Sequence, residues 1–150
     1  MKKLGHVVLK VRSLQASLAF YRDLLGLRVT GEREGMAFLS GGENHHEVGF
    51  LEVGPKAEMP PRHMLGLFHL GFSVGSMEDL LQLYRSLKAK GVPILSAVDH
   101  VVSKSFYVRD PDGYVVELLV DEPLDRWGPL ENPFAEDFPF DIEELAEKGP

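Results

Sequence analysis

The 150-residue sequence contains no cysteine. Disulfides, zinc ribbons, iron–sulfur clusters and thiol nucleophiles are therefore excluded. No apolar run approaches the ~20 residues that a membrane-spanning helix needs. Basic residues are scarce beside acidic ones, 16 against 23, for a formal net charge of -7. That balance argues against nucleic acid or an anionic membrane as a partner. Two lysines open the chain, but no long apolar stretch or small-residue cleavage site follows them, so a mature, cytoplasmic protein is expected. What remains is 44% hydrophobic and 26% charged, the composition of an ordinary globular domain long enough to build its own core.

The chain repeats itself at an offset of 63 residues. Leu4, His6, Val11, Ser13, Tyr21 and Arg22 recur as Leu67, His69, Val74, Ser76, Tyr84 and Arg85 without a gap. Two copies of a unit this size are too few and too long for a solenoid or propeller. They suggest a duplicated module of about 4–53 and 67–120 within a domain of 1–122, joined by a Gly- and Pro-rich connector, 54–66.

Each copy opens with period-2 alternation, Val7, Leu9 and Val11 in the first and Leu70, Phe72 and Val74 in the second. His6 and His69 are thereby read as strand residues on the opposite face. A helix follows, capped by Ser13 or Ser76. Its expected stripe is Leu14, Leu18, Tyr21, Leu24 and Leu25 in copy one, and Leu80, Leu83, Tyr84 and Leu87 in copy two, with Gly26 and Gly91 as stops. Three strands complete each copy, at about 27–33, 36–40 and 46–53, then 92–98, 103–108 and 114–120. Asp110-Pro111-Asp112-Gly113 is a turn. The expected fold is α+β, two tandem βαβββ modules forming one curved mixed-sheet domain around a metal site. Residues 123–150 are an acidic arm with a short helical hint at 142–148.

With cysteine absent, the chemistry falls to His, Asp and Glu. His6 and His69 occupy one position of the repeat, where a core would take Val or Leu. Glu117 shares a strand face with Val115 and Leu119, and a carboxylate among apolar neighbours is costly to bury unless paired or metal-bound. Two His and one carboxylate form the ligand set of a non-haem iron facial triad. Taken singly, a strand His is more often a satisfied, partly buried residue than a ligand, and a lone strand Glu usually faces solvent.

Residues 98–117 read Val98, one spacer, His100, five residues, Phe106, Tyr107, then Asp110, Pro111, Gly113 and Glu117. This matches every fixed position of the extradiol ring-cleavage signature. With the paired modules, the chain over about residues 4–122 resembles the vicinal oxygen chelate superfamily, which includes glyoxalase I, drug-resistance proteins and extradiol dioxygenases. His45-His46-Glu47-Val48-Gly49-Phe50 resembles the segment that carries that family's distal catalytic His, with His46 the better match.

The resemblance implies His6, His69 and Glu117 as Fe(II) ligands, with Mn(II), Zn(II) or Ni(II) as alternatives. It implies His46 as the acid/base residue, and His100 and Tyr107 as hydrogen-bonding partners of the substrate. Val48 and Phe50, with Trp127 from the arm, are expected near the substrate. The expected reaction is extradiol cleavage of a small aromatic diol by O2, in a homodimer that covers open sheet edges. One rival is a glyoxalase I-like lyase or isomerase using Glu52 as a fourth ligand. The other is a non-catalytic drug-binding protein. His45 and His63 are read as surface residues.

Overall fold

A computed structural model describes residues 3–127 and 131–148. The chain forms two compact units. The first runs to Gly66 and includes Asp110–Gly113; the second comprises Leu67–Arg109 and the chain from Tyr114 onward. The boundary thus falls where the repeat begins its second copy.

The first unit contains β1 (Val7–Val11), α1 (Leu14–Tyr21), β2 (Arg28–Arg33), β3 (Met36–Ser40) and β4 (Val48–Glu52). Its sheet has the order β1-β4-β3-β2. The second contains β5 (Leu70–Ser73), α2 (Met77–Ala89), β6 (Ser96–Asp99), β7 (Ser103–Arg109), β8 (Val115–Asp121), β9 (Phe138–Pro139) and α3 (Ile142–Lys148), with the order β5-β8-β7-β6-β9. Each unit is a βαβββ module in which the first strand runs parallel to the fourth, the helix supplying the crossover that parallel pairing needs. The expected α+β fold of two tandem modules is present, built as two mixed sheets. β1 and β5 each lie at the edge of their own sheet, and among the described residues no ladder joins the two.

Ser13 and Ser76 cap their helices as expected. Ser13 Oγ accepts from Ala16 N (3.3 Å) and Ser76 Oγ from Asp79 N (3.2 Å). The tyrosines of the repeat anchor both helices to their sheets. Tyr21 is fully buried against Phe50, with ring centroids 4.8 Å apart, and Tyr84 meets Phe106 at 5.5 Å. The stripes differ from expectation in detail. α1 buries Ser17, Phe20 and Tyr21 and ends there, leaving Leu24 and Leu25 half-buried in a following turn. α2 buries Leu81 in place of Leu83. It stops in a Schellman arrangement, Val92 N donating to Leu87 O and Gly91 N to Lys88 O. Gly91 takes φ +76°, a conformation that costs other residues strain.

The arm is part of the second unit. β9 adds an edge strand to β6, and α3 packs on α2 through Ile142, 4% exposed, while Arg85 Nε donates to Ala146 O (3.0 Å). Positions 128–130 and 149–150 of the expected arm lie outside the described residues.

Asp110–Gly113 forms the expected turn and also bonds within the first unit. Asp110 Oδ1 accepts from the backbone of Asp112 and Gly113 (both 2.9 Å), and its Oδ2 accepts from Tyr21 OH (3.0 Å). Asp112, 8% exposed, accepts from Arg12 N (3.1 Å) and Arg12 Nη1 (3.0 Å). Asp112→Ala leaves those donors without their acceptor and is expected to cost about 1–3 kcal/mol, read as a lower urea midpoint at unchanged slope.

Candidate functional site

In the first unit the pleat decides which side chains share a face. His6 lies one residue before β1, not within it, yet keeps the parity of Val8 and Lys10 and is exposed with them. Leu9 and Val11 face the buried side. On β4, Val48 and Phe50 are 1% and 0% exposed, and Phe50 packs on Tyr21 of α1. Both therefore belong to the core beneath the helix, and the expectation that they contact substrate is corrected. The opposite face carries Gly49, where an added Cβ would meet Val8 and Phe38 side chains at 3.3 Å.

His46 was expected on a strand beside Val48 and Phe50. It instead lies in the loop before β4, and its ring packs on His6 (centroids 4.4 Å) and Phe38 (5.1 Å), residues of the other face. His45 was expected to point away, but its Nδ1 lies 2.6 Å from His46 Nδ1, so one ring donates and the other accepts. Desolvation, then the neighbouring His6 and His45, hold the His46 imidazole below its usual range. Glu47 shapes this loop, its carboxylate accepting from Gly41 N (2.8 Å) and Asn44 N (3.0 Å). Those bonds outweigh desolvation and hold its carboxyl below the usual range.

Glu52 faces elsewhere. Its Oε2 accepts from Leu14 N at 2.7 Å, at the start of α1. The ladders show which position of the first unit corresponds to Glu117. Gly71 pairs with Glu117 and, 63 residues earlier, Val8 pairs with Gly49. The counterpart of Glu117 is a glycine.

In the second unit His69 likewise sits one residue before its strand. Glu117 on β8 is 8% exposed. Its Oε1 accepts from Ser105 Oγ (2.7 Å) and from Tyr107 OH (2.8 Å), the latter its direct cross-strand partner on β7. Its Oε2 lies 3.1 Å from His69 Nε2. Gly71 makes room for this carboxylate, since a Cβ there would meet Leu119 at 3.1 Å and Glu117 Oε2 at 3.4 Å. His100 follows β6, with its Nε2 2.7 Å from Tyr107 OH and its Nδ1 2.6 Å from Asp137 Oδ1. Burial, then Glu117, push the Tyr107 phenol well above its usual range, so it stays protonated as a donor. Trp127 Nε1 donates to Glu122 O (2.7 Å), and His63 is exposed.

Among the described residues no group of three or more His, Asp or Glu side chains is gathered to hold a metal ion. Two of the expected donors do fit one. The 3.1 Å between His69 Nε2 and Glu117 Oε2 is close to the spacing of adjacent ligands with bonds of about 2.1 Å at a right angle. The buried His69 Nδ1 has no hydrogen-bond partner among the described residues.

A family model, the Glyoxalase/Bleomycin resistance protein/Dioxygenase superfamily, matches residues 3–118. The chain belongs to this superfamily. Among its relatives is biphenyl-2,3-diol 1,2-dioxygenase 3 of Rhodococcus globerulus, 38% identical over 79% of this chain and 63% of that protein. The chain thus spans under two-thirds of that relative's length. Glutathione transferase FosA of Serratia marcescens is 32% identical over 80% of this chain and 82% of its own length. A glyoxalase/dioxygenase structure from Nostoc punctiforme has the same fold, with a TM-score of 0.67 at 19% identity, covering 81% of this chain and 92% of its own. Among the described residues no helix is long and apolar enough to cross a membrane.

The loop that carries His45 and His46 is held by Glu47. Glu47→Ala is expected to raise amide exchange of Gly41 and Asn44 while leaving that of Phe50 unchanged, because β4 is held by its own ladders.

Proposed function

We propose that this chain is an extradiol ring-cleavage dioxygenase acting on a catechol-like aromatic diol with O2. One observation carries the reading. The Glu117 carboxylate, Tyr107 and His100 form a continuous hydrogen-bonded chain from residues of the ring-cleavage signature, and biphenyl-2,3-diol 1,2-dioxygenase 3 is 38% identical.

His69 and Glu117 would hold the ion, with His6 of the other repeat as the third ligand. Iron(II) is the ion proposed, and Mn(II), Zn(II) and Ni(II) are ones the same donors accept. When bound, iron supplies the redox chemistry that joins a catecholate to dioxygen. The protein supplies the rest. His46, packed on His6 and with its basicity lowered, accepts a proton from the reacting diol and returns it. Tyr107 and His100 offer hydrogen bonds to substrate oxygen as its charge changes. The small aromatic diol and O2 are the proposed partners, in a cytoplasmic homodimer.

The glyoxalase-type set with Glu52 is not adopted, since Glu52 serves the start of α1 and the position matching Glu117 is Gly49. A drug-modifying thiol transferase is a second reading, favoured by the 82% coverage of FosA against 63% of the biphenyl-diol enzyme.

Anaerobic loading with Fe(II), followed by oxygen uptake on a panel of catechols, separates them. Uptake with a yellow ring-fission product is expected. Glu117→Ala should abolish it, and His46→Ala should lower kcat by about 10²–10⁴-fold. Iron bound at one equivalent with no uptake on any catechol, together with thiol consumption on fosfomycin, would move the assignment to the second reading.

A further inference from the structure

We propose that Asp99 is a positioning residue that, with Lys104, holds the strained turn carrying His100 and so sets where the His100 ring meets Tyr107. The assignment deepens the ring-cleavage reading and rests on it only for the effect on rate.

The turn joins β6 to β7. Asp99 and Lys104 are the final pair of that ladder, and the chain reverses between them. His100 N donates to Ser103 O (2.8 Å) and Val102 N to His100 O (2.8 Å). The second bond closes a three-residue γ-turn, whose central residue, Val101, takes φ +69°. A γ-turn of that sign is the rare, strained form. Among the described residues Val101 is the one non-glycine with a positive φ, and its branched side chain makes the conformation costlier.

Such backbone persists only where its surroundings over-determine it. Here one carboxylate is central. Asp99 Oδ1 accepts from Val101 N (2.9 Å), the amide at the middle of the turn, and its Oδ2 lies 3.1 Å from Lys104 Nζ. The same ammonium donates to Glu122 Oε1 (2.6 Å), while Glu122 N donates to Val102 O (2.8 Å). Two successive residues of the turn are thus tied to one set of charges. The Asp99 and Lys104 side chains are 24% and 26% exposed, so solvent screens their pairing only in part.

What the turn presents is His100. Its Nε2 lies 2.7 Å from Tyr107 OH, and the two rings stand perpendicular with centroids 6.2 Å apart. Lys104 and Tyr107 both belong to β7. The residue that anchors the turn and the residue its histidine meets therefore share one element. Released from Asp99, Val101 relaxes toward negative φ, and His100, one residue earlier, moves with the chain. The ladder of β7 with β8 does not include the turn, so the sheet should survive its release.

The test reads the full chain by NMR in its metal-free form, following the nuclear Overhauser contact between the His100 and Tyr107 rings and the amide exchange of Val101. Wild type is expected to show the ring contact and a protected Val101 amide. Asp99→Ala should lose the contact and speed Val101 exchange by about 10-fold or more. Asp99→Asn, whose side-chain oxygen still accepts from Val101 N, should keep it. Val101→Gly added to Asp99→Ala should restore it, because glycine takes positive φ without strain. Amide protection of Phe106 and Leu118 should be the same in all four proteins, showing β7 and β8 still paired. In urea, the midpoint drop caused by Asp99→Ala should be smaller in the Val101→Gly background than in wild type. A ring contact unmoved by Asp99→Ala, or lost and not restored by Val101→Gly, overturns the assignment, as do equal midpoint drops. Should Asp99→Ala not fold, Lys104→Met takes its place, with loss of the contact expected and an unmoved contact overturning the assignment. In the iron-loaded protein, Asp99→Ala should lower kcat on a catechol on the order of 10–100-fold with KM little changed, and Val101→Gly should restore it. Wild-type protein that cleaves no catechol would remove the ring-cleavage reading and leave the NMR and urea results standing.

Discussion

The second unit's site depends on keeping one carboxylate out of water. Glu117 is 8% exposed on a strand whose other neighbours are apolar. Such a group is costly to bury unless its oxygens are satisfied. Ser105 and Tyr107 donate to one oxygen, and His69 stands 3.1 Å from the other. All three partners therefore converge on one carboxylate. Tyr107 keeps its proton because burial and the neighbouring carboxylate disfavour the phenolate. A Cβ at position 71 would crowd the Leu119 side chain at 3.1 Å and touch the carboxylate at 3.4 Å.

Duplication built two sheets of one design, and a single position distinguishes them chemically. The parallel first and fourth strands carry Val8 beside Gly49 in one unit and Gly71 beside Glu117 in the other. In each unit one of the paired residues is glycine, and its partner's side chain fills the gap. In the first unit the filling is apolar, Val8 and Phe38 both lying 3.3 Å from the missing Cβ. In the second, Leu119 lies 3.1 Å from it and the Glu117 carboxylate 3.4 Å. One unit therefore contributes a histidine at its repeat position without an acid, and the other contributes both.

Much of this was legible because it repeats or alternates. The 63-residue offset placed His6, His69, both Ser caps and both buried Tyr, and all four caps and tyrosines act alike in the two units. The signature spacing placed His100, Tyr107 and Glu117, which join in one hydrogen-bonded chain. What failed was whatever depended on a loop. Reading the strand through His46 put its ring on the core face with Val48 and Phe50. The chain leaves the sheet before Val48, so parity no longer applies and the ring turns to His6 and Phe38. The tail failed for a different reason. A two-residue strand, Phe138–Pro139, carries no periodicity of its own, and only its pairing with β6 defines it.

Stability and chemistry are carried on opposite sides of the same strands. On β7 and β8, Phe106 stands opposite Leu118 and Val108 opposite Val116, all buried, with Phe106 against Tyr84 of α2. The alternate positions carry Ser105, Tyr107 and Glu117. Because side chains alternate strictly along a strand, a substitution at Tyr107 or His100 alters the polar chain without opening the core. A substitution at Phe106 does the reverse. The arm follows the same division. Ile142 of α3 is buried and holds the arm to α2, whereas Asp137 is exposed and touches only the polar side. An exposed carboxylate held in register by a strand pair can vary without unfolding the protein.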